Sequence, residues 1–161
     1  MSYPYETWTV CKPKVTGSKG VVVAQEIEAA SIGARIIESG GNAIDGAIAT
    51  AFALSVTEPW MSGLGGGGFM MLYLANENRV RVIDFGMISP KMTDLADYPL
   101  SGDIGADLFG WPAVAGDTNL HGAKSVAVPG SVAGYGLAVE QFATKSWSEL
   151  IAPARDLATR G

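Results

Sequence analysis

The chain has 161 residues, 48% of them hydrophobic and only 17% charged, with a net charge of −5 and a pI near 4.7. That length buries one respectable core, and the acidic balance lacks the basic face that nucleic acid requires. A single cysteine, Cys11, permits no internal disulfide, and no apolar run approaches the roughly 18–20 residues that span a bilayer.

Residues 1–19 mix aromatics, Pro4, Pro13 and three lysines without periodicity and read as an extended arm carrying Cys11. The arm has no basic n-region followed by an apolar h-region, so the sequence as given points to the cytoplasm, or to the periplasm or exterior if a signal was removed. Gly20 opens Val21-Val22-Val23-Ala24, whose β-branched run predicts a buried strand. From Glu26 to Ser39 the spacing is helical, with Ile27, Ala30, Ala34 and Ile37 on one stripe and Ile32 and Ile36 beside it. Gly40-Gly41 supplies a stop. Asn42 then caps a second helix, Ala43 to Val56, apolar nearly all round and ended by Pro59. Asp45, its only charge, has a sufficient structural reason as an acid in the first turn.

Glu58 to Phe69 is the most distinctive stretch, with five glycines between Gly63 and Gly68. Gly63-x-Gly65-x-x-Gly68 satisfies the dinucleotide fingerprint as a string. That fingerprint must follow a strand and open a helix, whereas here a helix precedes and a strand-like run follows. No Lys-Ser or Lys-Thr closes it as a Walker loop. A hairpin is predicted next: Phe69–Leu74, the turn 75–78, and Arg79–Phe85. Its first arm is apolar on both faces, as for a strand covered on two sides.

Residues 86–124 read as a long irregular excursion, of a kind that is functional or lies at an interface. Asp117-x-Asn119-x-His121-Gly122 imitates a calcium loop, but Val128 stands where the bidentate glutamate belongs. Ser125–Val128 predicts another short strand. Pro129-Gly130-Ser131 starts a helix to about Phe142 with Ser131 as N-cap, and Pro129 denies Ser131 the glycine a serine elbow needs. Ser146-Trp147-Ser148-Glu149 is a capping box, Pro153 a candidate helix start, and Arg160-Gly161 a C-terminal cation and stop. No Ser-His-Asp set, metal cluster or paired carboxylate motif emerges, so the residues alone reach an α/β piece with a glycine-rich turn.

Several segments together resemble the γ-glutamyltranspeptidase family of N-terminal-nucleophile hydrolases. They are Gly20–Ala24, Gly40–Asp45, Glu58-Pro59, Gly63–Phe69, Asp84-Phe85, Ala127–Gly134, and Trp147-x-x-Leu150-x-x-Pro153-Ala154-x-x-Leu157-Ala158-x-x-Gly161, spanning about residues 18–161. The resemblance implies a four-layer αββα sandwich, of which residues 20–161 would form the N-terminal portion of a large subunit. It implies a proenzyme that cleaves itself, with an N-terminal threonine nucleophile on a small subunit. The expected partners are therefore the rest of the large subunit, the small subunit and a small-molecule amide, with no cofactor, and no catalytic residue falls in this chain. Family members acting on γ-glutamyl compounds have Asp-Phe-Arg, the arginine holding the substrate's α-carboxylate. Here the segment is Asp84-Phe85-Gly86-Met87, so Gly86 and Met87 are the candidate substrate-binding positions, and the missing charge points to another acyl group. A cephalosporin-acylase-like or other small-amide hydrolase is the alternative on the same scaffold. A non-catalytic interaction module, binding through the excursion, is the alternative of another class.

Overall fold

The computed structural model describes residues 14–105 and 108–161, which leaves Cys11 and most of the expected arm outside the described residues. Among the described residues there are five helices: α1 (Ile27–Glu38), α2 (Ala43–Thr57), α3 (Pro59–Ser62), α4 (Ser131–Phe142) and α5 (Trp147–Arg160). Two separate antiparallel hairpins accompany them, β1 (Phe69–Leu74) with β2 (Arg79–Asp84), and β3 (Leu100–Ile104) with β4 (Pro112–Val114).

The helix α2 is the centre of the molecule. Its apolar circumference leaves almost no face for water, and Ile48, Ala49, Phe52 and Ala53 are buried among α1, α4 and α5. Burying a side chain such as Ile48 or Phe52 stabilises the fold by about 1.5–3 kcal/mol. Asn42 caps α2, accepting from the backbone N–H of Ile44 and Asp45, while Asp45 accepts from Asn42 N at 2.7 Å. The cap was legible; its second half was not. Asp45 is fully buried and also accepts from the Thr144 hydroxyl (2.5 Å), Thr144 N (3.1 Å) and Lys145 N (3.1 Å). One carboxylate thus ties the start of α2 to the α4–α5 loop.

The α1 stripe is rotated from the sequence expectation. Ala29, Ile32 and Gly33 are buried, whereas Ile27 is 79% exposed. The cause is a close crossing with α2. A Cβ built at Gly33 would stand 2.1 Å from Thr50 Oγ1 and 2.8 Å from Gly46 O, so the helices dock through their smallest residues. Hydropathy does not mark glycine as a contact, so the pattern misplaced the arc. Glu26, expected inside the first turn, is instead the N-cap, accepting from Glu28 N and Ala29 N.

Val21–Ala24 is not a strand in this chain. Among the described residues no segment pairs with it, yet its exposure alternates with period two, and Val23 is 88% exposed. The β-branched pattern is present without a neighbouring ladder. The expected β1–β2 hairpin forms, with Met70 facing Ile83 and Leu72 facing Arg81. Its inner face, with Leu72 and Ile83, packs on the helices. The expectation of cover on both faces fails here: Phe69, Met71, Tyr73, Val80 and Val82 form a bare apolar outer face.

The excursion after β2 is less irregular than expected, since it contains the β3–β4 hairpin and three short 3₁₀ turns. Lys124 Nζ meets Asp97 Oδ1 at 2.5 Å and the Tyr98 hydroxyl donates to Lys124 O, closing this segment on itself. The predicted strand Ser125–Val128 reduces to one bridge, Ile88 with Val128, because Ser125 completes a 3₁₀ turn. Pro153 does not begin a helix but lies inside α5, which the Ser146–Glu149 capping box starts six residues earlier. None of the helices among the described residues is long and apolar enough to cross a membrane.

Candidate acyl-pocket wall

The glycine run does not cradle a phosphate. Residues 63–68 leave the single turn of α3 and enter β1, so no helix N-terminus follows them. Their backbone is instead taken up by two other segments. Phe85 N donates to Gly68 O at 3.0 Å and Gly68 N returns a bond to Phe85 O at 3.3 Å, extending the β1–β2 ladder by one pair. Gly66 O accepts from both Gly130 N (2.9 Å) and Ser131 N (3.1 Å).

That double acceptance explains why Ser131 is not the N-cap. Gly130 holds that position without a side-chain bond, because the first free N–H groups of α4 already have a carbonyl partner. Ser131 turns inward, 4% exposed, and hydrogen-bonds with Tyr135 one turn on. Burial pushes the Tyr135 phenol up, partly offset by that bond.

Phe85 sits where these segments converge. A Cβ at Gly134 would stand 2.3 Å from Phe85 Cγ, one at Gly130 2.1 Å from Phe85 O, and one at Gly67 2.7 Å from Met87 N. Only glycine permits the glycine run, residues 85–87 and α4 to approach this closely. The ring of Phe85 meets Tyr135 edge-on at 5.6 Å, Tyr135 meets Phe52 at 5.3 Å, and Phe52 meets Trp147 at 5.2 Å. An aromatic column thus runs from α5 through the core to the end of β2.

Beyond that end lie the two sequence-predicted positions. Gly86 is half-buried and donates its N–H to Asp84 Oδ1 at 3.0 Å; Met87 is 57% exposed. A Cβ added at Gly86 would meet only Asp84 Oδ1, at 3.3 Å, so a side chain has room there. A cleft of about 240 Å³ next to them, reached at Phe85, is lined by Gly66, Gly67, Gly68, Phe85, Ser131 and Tyr135, and also by Met61 and Phe69. No cation lines it. Arg81 is paired with Glu77 at the turn end of the hairpin, five extended residues or roughly 16 Å from Gly86.

Sequence reasoning named Gly86 and Met87 but missed Gly134 and Tyr135, which set the wall behind them. The available signal was Gly130-x-x-x-Gly134, which places two glycines on one helix face. Neither Asp45 nor Ser131 joins this site as a reacting group. Asp45 is committed to four donor groups: burial pushes its carboxyl up, but the Thr144 hydroxyl and the N–H groups of Asn42, Lys145 and Thr144 outweigh that and hold it below the usual carboxylate range. The Asp117–His121 segment is a surface turn, and among the described residues no cluster of three or more His, Cys, Asp or Glu is placed to hold a metal.

The gamma-glutamyltranspeptidase family profile matches residues 29–161. The chain belongs to the gamma-glutamyltranspeptidase family. It is 39% identical over 158 residues to the acylase ACY 1 proenzyme of Pseudomonas sp. (strain V22), covering 96% of this chain and 27% of that protein. It is 38% identical over 142 residues to the glutathione hydrolase proenzyme of Pseudomonas aeruginosa, covering 88% and 24%. Among solved structures, Helicobacter pylori gamma-glutamyltranspeptidase superposes with a TM-score of 0.76 at 34% identity, over 91% of this chain and 39% of that one. The cephalosporin acylase of Bacillus halodurans gives a TM-score of 0.71 at 25% identity, over 99% and 27%. The fold is therefore the α/β fold of family N-terminal-nucleophile hydrolases, and the chain corresponds to their N-terminal part. It spans about a quarter of the length of the curated relatives it matches.

Proposed function

We propose that residues 20–161 form the N-terminal portion of the large subunit of a self-processing amide hydrolase or acyltransferase, and that its acyl donor is not a γ-glutamyl compound. The nucleophile, a threonine freed as the N-terminus of a small subunit, lies outside this chain; its own α-amine serves as base. In this assembly the present residues position rather than react. The α2 core and the aromatic column hold the end of β2, and Gly86 and Met87 form part of the wall against which the acyl group rests.

One observation carries the substrate reading. Where the γ-glutamyl enzymes are expected to present arginine, a glycine stands beside a cleft with no cationic lining, and the nearest hairpin arginine is paired elsewhere. A carboxylate buried against Met87 without a charged partner loses about 1.5–3 kcal/mol of charge-assisted bonding. Relatives named as acylases and as glutathione hydrolases match the chain almost equally, so similarity alone favours neither substrate.

Expression of the full-length gene tests the enzyme itself. Two chains are expected on a denaturing gel, the smaller beginning with threonine by N-terminal sequencing, and alanine in its place should abolish cleavage. An intact, unprocessed protein with no such residue would instead favour an interaction module.

A further inference from the structure

Gly134 lies on α4 and does not itself line the cleft, yet it is the residue on which Phe85 rests. From the contacts at this point we infer that Gly134 is a positioning residue for acyl-donor binding, acting through Phe85 to set the placement of Gly86 and Met87. This rests on the reading that residues 86–87 line the acyl pocket.

Three observations support it. A methyl at position 134 would stand 2.3 Å from Phe85 Cγ and 2.4 Å from Cδ1, so the ring must retreat by about 1 Å to regain ordinary contact. The ring is held edge-on by Tyr135, and Gly68 passes near enough that a Cβ there would stand 3.2 Å from Cε2. The backbone from Phe85 O to Met87 N packs directly on Gly67 and Gly130, so a shift of Phe85 changes how Gly86 and Met87 sit against both. Gly134 itself lies within α4 at ordinary helical φ, so alanine there carries no backbone strain of its own. The effect therefore travels through the ring.

A displacement of about 1 Å at a substrate-positioning wall costs on the order of a hundredfold in kcat/KM. The test compares wild type, Gly134→Ala, Phe85→Ala and the double variant in the full-length processed protein, with Gly136→Ala as control, since a Cβ at Gly136 meets nothing within 4 Å. Two readouts are taken. One is hydrogen exchange over residues 84–90, where Ile88 N is bonded to Val128 O. The other is KM and kcat for a panel of γ-glutamyl-, glutaryl- and butyryl-p-nitroanilide.

G134A should accelerate exchange across 84–90 by about tenfold and raise KM more than it lowers kcat, while G136A changes neither. In the F85A background, G134A should add no more than about threefold, the non-additivity expected of residues that act through one another. Unchanged exchange and KM in G134A overturn the inference, as does a lowered melting temperature with both readouts unmoved. Additive effects in the double variant overturn it too. A processed wild type that turns over none of the panel would defeat the functional reading instead, and the exchange data would still decide the positioning role.

Discussion

Replacing Asp45 with asparagine tests how the helical layer is held together. The carboxylate is fully buried and receives bonds from Asn42 N, Thr144 N, the Thr144 hydroxyl and Lys145 N. Asparagine keeps the shape but turns one oxygen into a donor facing donors, so about two charge-assisted bonds are lost, at about 1.5–3 kcal/mol each. The loss falls locally, on the α4–α5 loop, and trypsin after Lys145 reads it directly. Cleavage of the native protein follows the population of the open loop, so D45N should be cut there on the order of a hundredfold faster or more. The pH dependence carries the same signature. Because the native carboxyl titrates below its ordinary value of 3.8, its stabilisation is whole above that value and disappears as pH falls through the lowered native one. The stability gap between wild type and D45N, measured by denaturant unfolding at each pH, should therefore be constant near neutrality and close in acid. Equal cleavage of the two proteins at pH 7, or a gap that does not narrow below pH 3.8, would refute the reasoning.

The 161-residue chain expressed alone should aggregate or bind hydrophobic dye, since Phe69, Met71, Tyr73, Val80 and Val82 leave one hairpin face bare; a soluble, cooperatively melting monomer would contradict this. Gly33→Ala should lower the melting temperature of the full protein, its methyl meeting Thr50 Oγ1 at 2.1 Å, at a cost of about 1–3 kcal/mol. Gly136→Ala, in open space inside α4, should stabilise by about 0.5–1 kcal/mol in the same denaturation experiment.

Local chemistry made much of this structure legible. The Asn42 cap, the Ser146–Glu149 box, Pro59 as a breaker and the β1–β2 hairpin all follow from interactions within a few residues of one another. What escaped depends on neighbours distant in sequence. The Gly66 carbonyl removes the need for Ser131 as a cap, Gly46 rotates the buried arc of α1 towards Gly33, and Thr144 gives Asp45 two of its four donors. Val21–Ala24 shows the converse, a strand pattern that no ladder among the described residues completes. At the candidate site the departure at Gly86 was readable as a missing charge. Gly134 was not, because its importance lies in the ring its missing methyl admits.

The central claim is that the wall at Gly86 lacks the contact a γ-glutamyl substrate needs. The direct measurement is kcat/KM for γ-glutamyl-p-nitroanilide and butyryl-p-nitroanilide with the processed full-length enzyme, as wild type and as Gly86→Arg. Apart from its chain neighbours, a Cβ at position 86 meets only the exposed Asp84 carboxylate within 4 Å, which leaves a way out for the arginine. Wild type should turn over the γ-glutamyl compound poorly, and G86R should raise that value about ten- to a hundredfold, the equivalent of 1.5–3 kcal/mol, without a matching rise for the butyryl compound. Efficient wild-type turnover of γ-glutamyl-p-nitroanilide with a micromolar KM, unaffected by arginine at 86, would contradict the account.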